Sequence, residues 1–210
     1  MSLNEEFMSN PGAFAEKYVI VVADTSQLGP NNVAGPKNFT FVSDYEQYVS
    51  LRATKDGIKA YWLPWKDKES STMDLGSDAD YFFTTQMTGC RFSVLTSDPK
   101  KPKVSHVAGT LEKSKRNAED AKTFGTDVKN VRRLSITGQK AEGHHYGGQT
   151  GDGKGSSAFV YGLRSKEGNW AFEAQIVDII IVQGFDPIRN PPANTPKIES
   201  HKIAPKKTAQ

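Results

Sequence analysis

Short runs of β-branched and aromatic residues recur along most of the chain, and turn-forming residues separate them. Such runs favour β-strands, because branched and aromatic side chains pack well on a pleated sheet. The pattern predicts strands at residues 18–23, 39–42, 47–53, 58–63, 131–136, 158–163 and 171–182. A chain of 210 residues is long enough to bury a sizeable core between such strands.

Turn and helix signals predict how some of these strands connect. Asp56-Gly57 separates the third and fourth predicted strands, and Asp-Gly in this position predicts a hairpin. The segment 82–87 follows acidic residues and predicts a short helix that leads to Gly89. The segment 111–124 is rich in Lys, Glu and Ala, and Gly125 follows it, which predicts an exposed helix with a thin apolar stripe.

Together these elements predict an α/β or α+β fold, in which a mixed, largely antiparallel β-sheet sandwich is decorated by a few helices. Residues 1–185 are expected to form a single domain. Residues 186–210 contain many prolines and basic residues and little that is apolar, so this tail is expected to be flexible or to lie over the outside. The glycine-dense segment 143–155 is expected to be a mobile loop.

The charge and the apolar content narrow the classes of partner. The net charge is +3, from 27 basic and 24 acidic residues, which is too small an imbalance to indicate a nucleic-acid surface. No stretch approaches the roughly 20 apolar residues of a membrane span. The segment before Tyr18 carries Glu5 and Glu6 and no apolar core, so a secretory signal is not expected.

The chain has a single cysteine, Cys90, which excludes an internal disulfide and any multi-cysteine zinc site. A thiol becomes an efficient nucleophile when a neighbouring imidazole takes its proton, and His106 is the candidate neighbour. The alternative is that Cys90 is a small buried apolar residue and His106 an ordinary strand histidine.

Segments 90–95 and 103–108 resemble the two arms of a hairpin. If the arms pair from the loop outward, Phe92 lies opposite His106, and Cys90 points to the same face one diagonal step away. A slip of one residue would turn the two side chains to opposite faces. The Cys90–His106 pair therefore depends on this register.

Three segments resemble a known family of toxins. They are residues 61–66 (Tyr-Trp-Leu-Pro-Trp-Lys), 81–90 (Tyr-Phe-Phe-Thr-Thr-Gln-Met-Thr-Gly-Cys) and 104–106 (Val-Ser-His). Together they resemble the Burkholderia lethal factor type, which is similar in its active site to the cytotoxic necrotizing factors and, more remotely, to chemoreceptor glutamine deamidases. The toxins favour Leu-Ser-Gly-Cys where this chain has Met-Thr-Gly-Cys, and the second half of the chain shows no match.

The resemblance implies a role for each matching residue. Cys90 would be the nucleophile, His106 its general base, and Thr84 the third group, which orients the imidazole. Backbone N–H groups near Gly89 and Thr88 would hold the developing oxyanion. No cofactor and no metal is implied. Without the resemblance, Thr84 is interpreted as a capping residue near the start of the predicted helix.

The function that the resemblance implies is deamidation of a glutamine side chain in a target protein, through a thioester. The expected partner is a protein substrate that bears a reactive glutamine, with no nucleic acid, no membrane and a monomeric enzyme. The chain would act in a bacterial cytoplasm, or as a toxin or effector delivered into a host cell without a signal peptide. Two alternatives stay open, a transglutaminase-type variant and a non-catalytic protein-binding module of the same fold.

Other motifs indicate less. The segment 148–154 approaches a phosphate-binding loop, but Gly155 replaces the Ser or Thr that would hold magnesium. His144 and His145 lie near Asp152, yet adjacent residues of an extended chain point in opposite directions, which disfavours a metal site.

Two tryptophans, Trp62 and Trp65, precede the candidate site in the chain. They would either line the mouth of the site or pack in the core and at its rim. Packing is the commoner role for tryptophans at the end of a strand.

Overall fold

The structure is a computed structural model, and it describes residues 1–22, 32–45, 47–136, 143–146, 154–180 and 197–203. Within these residues the strands are β1 Val19–Val22, β2 Gly35–Tyr45, β3 Tyr48–Thr54, β4 Ile58–Leu63, β5 Ser70–Asp74, β6 Tyr81–Thr84, β7 Arg91–Leu95, β8 Lys103–Val107, β9 Val131–Ile136, β10 Gly143–Tyr146, β11 Lys154–Arg164, β12 Trp170–Ile180 and β13 Lys197–Ile203. The helices are α1 Leu3–Ser9, α2 Pro11–Lys17, α3 Lys113–Phe124 and a 3₁₀ helix, Gly125–Asn130.

The described strands form two sheets. The first has eight strands in the order β1-β3-β2-β4-β6-β11-β12-β13, and the second has five in the order β10-β9-β7-β8-β5. The pairs β1–β3, β4–β6 and β10–β9 are parallel, and the other pairs are antiparallel. The prediction of a mixed, largely antiparallel fold with few helices is therefore confirmed.

The two sheets pack face to face over an aromatic core. Phe82 of β6 and Phe172 of β12 belong to the eight-stranded sheet, and Phe92 of β7 belongs to the five-stranded sheet. The ring centroids of Phe82 and Phe172 each lie 5.7 Å from that of Phe92. Large apolar side chains on both inner faces thus hold the sandwich together.

Helices α1 and α2 cover the other face of the eight-stranded sheet, where Phe7 and Phe14 are buried. Neither helix was predicted from the sequence, although the residues that mark their starts are present. Ser2 and Glu5 form a reciprocal capping box before α1. Asn10 caps α2 directly before a proline at its first position. The two helices before the first strand could therefore have been predicted from their capping residues alone.

The hairpin predicted at Asp56-Gly57 is wrong. Strands β3 and β4 both pair with β2, on its opposite edges, so the connection between them crosses over β2. A Cβ atom at Gly57 would lie 2.2 Å from the carbonyl oxygen of Phe39 in β2. The glycine therefore permits a close backbone crossing, and it does not form a tight turn between paired strands.

The helix predicted before Gly89 is also wrong, because this segment contains strand β6. Phe82 packs between the two sheets, whereas Phe83 packs on the helix-covered face. A central strand that is buried on both faces shows no alternation, so its apolar run resembles one face of a helix. Strand β6 lies between β4 and β11 and ends at Thr84 in the interior.

Two predicted irregular segments contain strands. Residues 143–146 form β10 beside β9, and residues 147–153 lie outside the described residues. Residues 197–203 form the edge strand β13 beside β12, with Ile203 buried. This part of the tail, which was predicted to be flexible or to lie over the outside, is a strand at the edge of the eight-stranded sheet. In the described ranges, no helix has the length and apolar character to span a membrane.

Candidate active site

The hairpin formed by β7 and β8 has the register that the sequence analysis required. Phe92 pairs with His106, and Val94 pairs with Val104. Phe92, Val94 and Val104 belong to the core between the two sheets. Directly opposed residues of an antiparallel pair share a face, so His106 points towards the eight-stranded sheet.

Thr84, at the end of β6, meets His106 across the sandwich. Its Oγ1 lies 2.8 Å from His106 Nδ1 and donates a hydrogen bond of 2.7 Å to the carbonyl oxygen of Leu63. A hydroxyl has one proton, and this one goes to Leu63. Thr84 therefore accepts from Nδ1–H, which assigns the proton to Nδ1 and leaves the lone pair on Nε2.

His106 is fully buried, and this burial lowers its pKa from 6.5 to about 4. The imidazole is therefore neutral near pH 7. Its Nε2 has no hydrogen-bond partner among the residues that the structure describes. A buried acceptor without a partner costs free energy, and such a group in a fixed orientation marks a candidate base.

Cys90 lies directly before β7, one diagonal step from His106, and belongs to the same buried cluster as Phe92. Diagonal neighbours on adjacent strands are roughly 7–8 Å apart, with less between their Cβ atoms. Since Nε2 has no partner, the hydrogen bond between Nε2 and the sulfur is not formed in this structure. Cys90 is 6% exposed, so the residue is almost completely covered.

The groups around the sulfur shift the pKa of the Cys90 thiol in opposite directions. Burial has the largest effect and raises the pKa of the Cys90 thiol. A backbone hydrogen bond from Gly109 and the positive charge of Arg116 lower this pKa. Backbone hydrogen bonds from Gly89 and Thr88 act in the same direction, so the two residues predicted to hold the oxyanion lie against the sulfur. The resting pair is a thiol and a neutral imidazole.

Two glycines shape the turn that carries Cys90. Continued by two residues, the β7–β8 register places Gly89 beside Gly109. A Cβ atom on Gly109 would lie 2.7 Å from the carbonyl carbon and oxygen of Gly89. A Cβ atom on Gly89 itself would meet none of the atoms that the structure describes within 4 Å. Among the described residues, the turn is thus closely packed on the Gly109 side and open on the Gly89 side.

We expect the two alanine substitutions to separate stability from access. Gly109→Ala forces the backbone at Gly89 to move and should lower the unfolding free energy by about 1–3 kcal/mol, as overpacking does. Gly89→Ala should change stability by less than about 0.5 kcal/mol, yet slow the reaction of Cys90 with bulky thiol reagents. Urea unfolding and labelling of the single cysteine measure the two effects. Equal stability losses in both variants would contradict this packing.

Helix α3 has the predicted end at Gly125, but its inner face is polar. Arg116 and Asp120, four residues apart, are both buried. Asp120 Oδ2 accepts hydrogen bonds from Arg91 at 2.9 Å and from Arg133 at 2.7 Å. The burial of Arg116 and Asp120 was not predicted from the sequence, because opposite charges four residues apart are typical of an exposed helix face.

The two tryptophans have different environments. Trp62 is fully buried, and its Nε1 donates to the side chain of Asn32, so it packs in the core. Trp65 is 38% exposed, and its backbone N–H donates to the hydroxyl of Thr85, the residue after Thr84. Of the two, Trp65 is the exposed tryptophan, and its backbone lies beside the end of β6.

The other motifs stay largely untested by the structure. Residues 148–153 of the phosphate-loop-like segment, with Asp152, lie outside the described residues. His144 and His145 lie on β10, whose backbone is extended.

Comparison with known proteins assigns no family or function to this chain. No protein-family model matches the chain, and no curated protein matches it either. The family resemblance therefore stays a prediction based on short motifs, and the function is argued from the site itself.

Proposed function

We propose that this protein is a cysteine-dependent glutamine deamidase, with Cys90 as the nucleophile and His106 as the general base. The observation that carries the proposal is the hydrogen-bonded chain from Leu63 through Thr84 to His106 Nδ1. It holds a neutral imidazole with an unpaired Nε2 on the face that also carries the only cysteine of the sequence. A nucleophile, a base and a group that orients the base are the parts that covalent amide hydrolysis requires.

In the proposed reaction, the Cys90 sulfur attacks the side-chain amide carbon of glutamine while its proton passes to His106 Nε2. Backbone N–H groups near Gly89 and Cys90 stabilise the negative charge on the amide oxygen. The C–N bond then breaks, and the nitrogen leaves as ammonia with the proton from Nε2. Water next attacks the thioester as Nε2 takes its proton, which releases glutamate and restores the thiol.

The protonation states favour general-base catalysis over a preformed ion pair. Burial lowers the pKa of His106 to about 4 and raises that of Cys90, so the thiolate forms only as attack proceeds. The hydroxyl of Thr84 is important here, because it accepts from Nδ1–H in both the neutral and the protonated imidazole. It thus keeps the ring in one orientation throughout the cycle.

The cover over Cys90 supports glutamine as the proposed substrate class. Cys90 is only 6% exposed, so a slender side chain can reach it more easily than a folded backbone amide. Glutamine carries its amide at the end of a flexible chain that can enter the open space beside Gly89. The exposed ring of Trp65 offers an apolar contact for the protein surface that carries the glutamine.

The test is mass spectrometry of cell lysates incubated with the wild type or with Cys90→Ser. We expect a shift of about one mass unit at a glutamine, from replacement of NH₂ by OH, with the wild type only. Thr84→Ser and Thr84→Val provide a matched pair, since the serine keeps the hydroxyl and the valine keeps only the shape. Activity in Thr84→Val equal to that in Thr84→Ser would contradict the orienting role.

A non-catalytic binding module is the second candidate, because the sulfur is nearly covered and Nε2 is not hydrogen-bonded to it. In that case, lysates treated with wild type and Cys90→Ser would give identical spectra. A transglutaminase-type variant would share the thioester but release it to an amine. Addition of a labelled primary amine to the same assay distinguishes the two outcomes, because the amine would be incorporated in place of water.

A further inference from the structure

Arg116 of α3 is a buried cation bound to backbone oxygens. It is 9% exposed, and its guanidinium donates to the carbonyl oxygens of Leu111 at 2.7 Å, Gly89 at 3.3 Å and Gly109. Within the described part of the chain, no carboxylate lies at ion-pair distance from it. Asp120, one turn further along α3, is paired with Arg91 and Arg133 instead. Among these described residues, the charge of Arg116 is therefore not paired with a carboxylate.

The bound carbonyls lie on the two segments that meet at Cys90. Gly89 directly precedes the nucleophile, and Gly109 packs against the Gly89–Cys90 backbone, where its added Cβ would lie 3.2 Å from the Cys90 nitrogen. The C=O and N–H groups of a trans peptide point in opposite directions. When Arg116 binds the Gly89 carbonyl, it therefore also sets the direction of the Cys90 N–H.

We propose that Arg116 is a positioning residue for Cys90: its guanidinium fixes the peptide before the nucleophile through the Gly89 carbonyl, and the segment packed against that peptide through the Gly109 carbonyl. For the reaction, this inference rests on the deamidase function proposed above. For the thiol itself it does not, because the charge acts on Cys90 whether or not a glutamine is the substrate. Helix α3 thereby holds both neighbours of the nucleophile, Gly89 through Arg116 and Arg91 through Asp120.

The electrostatics of Cys90 agree with this geometry. Burial raises the pKa of the thiol, and the positive charge of Arg116 is among the influences that lower it. Hydrogen bonds from the backbone of Gly109 and Gly89 act in the same direction, and both residues are held by Arg116. Loss of the guanidinium therefore removes the charge and loosens two of these hydrogen bonds at once.

The experiment is the pH dependence of iodoacetamide labelling, followed by intact mass, which reports on Cys90 alone because the chain has one cysteine. We expect Arg116→Gln to move the midpoint of the profile upward by about one unit, with labelling near pH 8 about tenfold slower than in the wild type. Arg116→Lys keeps the charge, so its midpoint should lie close to that of the wild type. Lys115→Gln removes a charge that is 64% exposed and should leave the midpoint unchanged.

A merely structural role would change the labelling rate at every pH without moving the midpoint. A midpoint in Arg116→Gln equal to that of the wild type overturns the proposal, and so does an equal shift in Lys115→Gln. If Arg116→Gln does not fold, Arg116→Lys decides, because a midpoint displaced by about one unit with the charge retained contradicts the charge effect. Labelling needs no glutamine substrate, so this result is independent of the Cys90→Ser lysate test.

Discussion

Replacement of Asp120 by alanine is expected to lower the unfolding free energy by about 3–5 kcal/mol, the usual cost of removing one partner from a buried ion pair. Asp120 is 1% exposed and accepts hydrogen bonds from Arg91, Arg133 and the hydroxyl of Ser93. Arg91 is itself 3% exposed, so its charge cannot be rehydrated without opening the packing between α3 and the five-stranded sheet. The effect should reach the site, because Arg91 follows Cys90.

Urea unfolding of Asp120→Ala and the wild type measures this loss. Glu112→Ala is the matched control, since Glu112 is the N-cap residue of the same helix. It makes no side-chain capping hydrogen bond, and its side chain, which pairs with Lys115, is 71% exposed. An exposed pair of this kind contributes about 0–1 kcal/mol. Similar losses in the two variants would show that the buried network does not hold α3 on the sheet.

The local parts of the fold were the most predictable from the sequence. The register of β7 and β8 depends on the loop of residues 96–102 and on apolar side chains at alternate positions, and both are visible in the sequence. The crossing from β3 to β4 was not visible, because it depends on β2, which lies earlier in the chain and passes between them. The Asp56-Gly57 pair is compatible with a hairpin turn and with a crossing over β2. Only the close approach of Gly57 to the carbonyl of Phe39, which the sequence does not show, identifies the crossing.

The candidate site divides in a similar way. Cys90 and His106 are candidate catalytic residues by their chemistry alone, and the register of the β7–β8 hairpin places them on one face. Thr84 was named through the family resemblance, with a helical setting that proved wrong, since it lies at the end of a central strand. Arg116 could not be found, because its partners are carbonyl oxygens, which every residue possesses and no sequence pattern marks.

The buried imidazole should make the protein sensitive to mild acid. Burial lowers the pKa of His106 to about 4 in the folded state, whereas an exposed histidine titrates near 6.5. Between these two values the unfolded chain binds a proton that the folded chain does not. Stability from this residue is therefore complete above pH 6.5 and is lost as the pH falls towards 4, by about 3 kcal/mol in total.

Urea unfolding of the wild type and of His106→Gln at several pH values between 7 and 4 isolates this contribution. Carboxylates and the other histidines titrate in both proteins, so the difference in unfolding free energy between them reports on His106. From pH 7 to pH 4, we expect the wild type to lose about 3 kcal/mol more unfolding free energy than His106→Gln, with most of this loss below pH 6. A constant difference would mean that the imidazole is hydrated and titrates normally, and the neutral, unpaired Nε2 on which the proposed base depends would not exist.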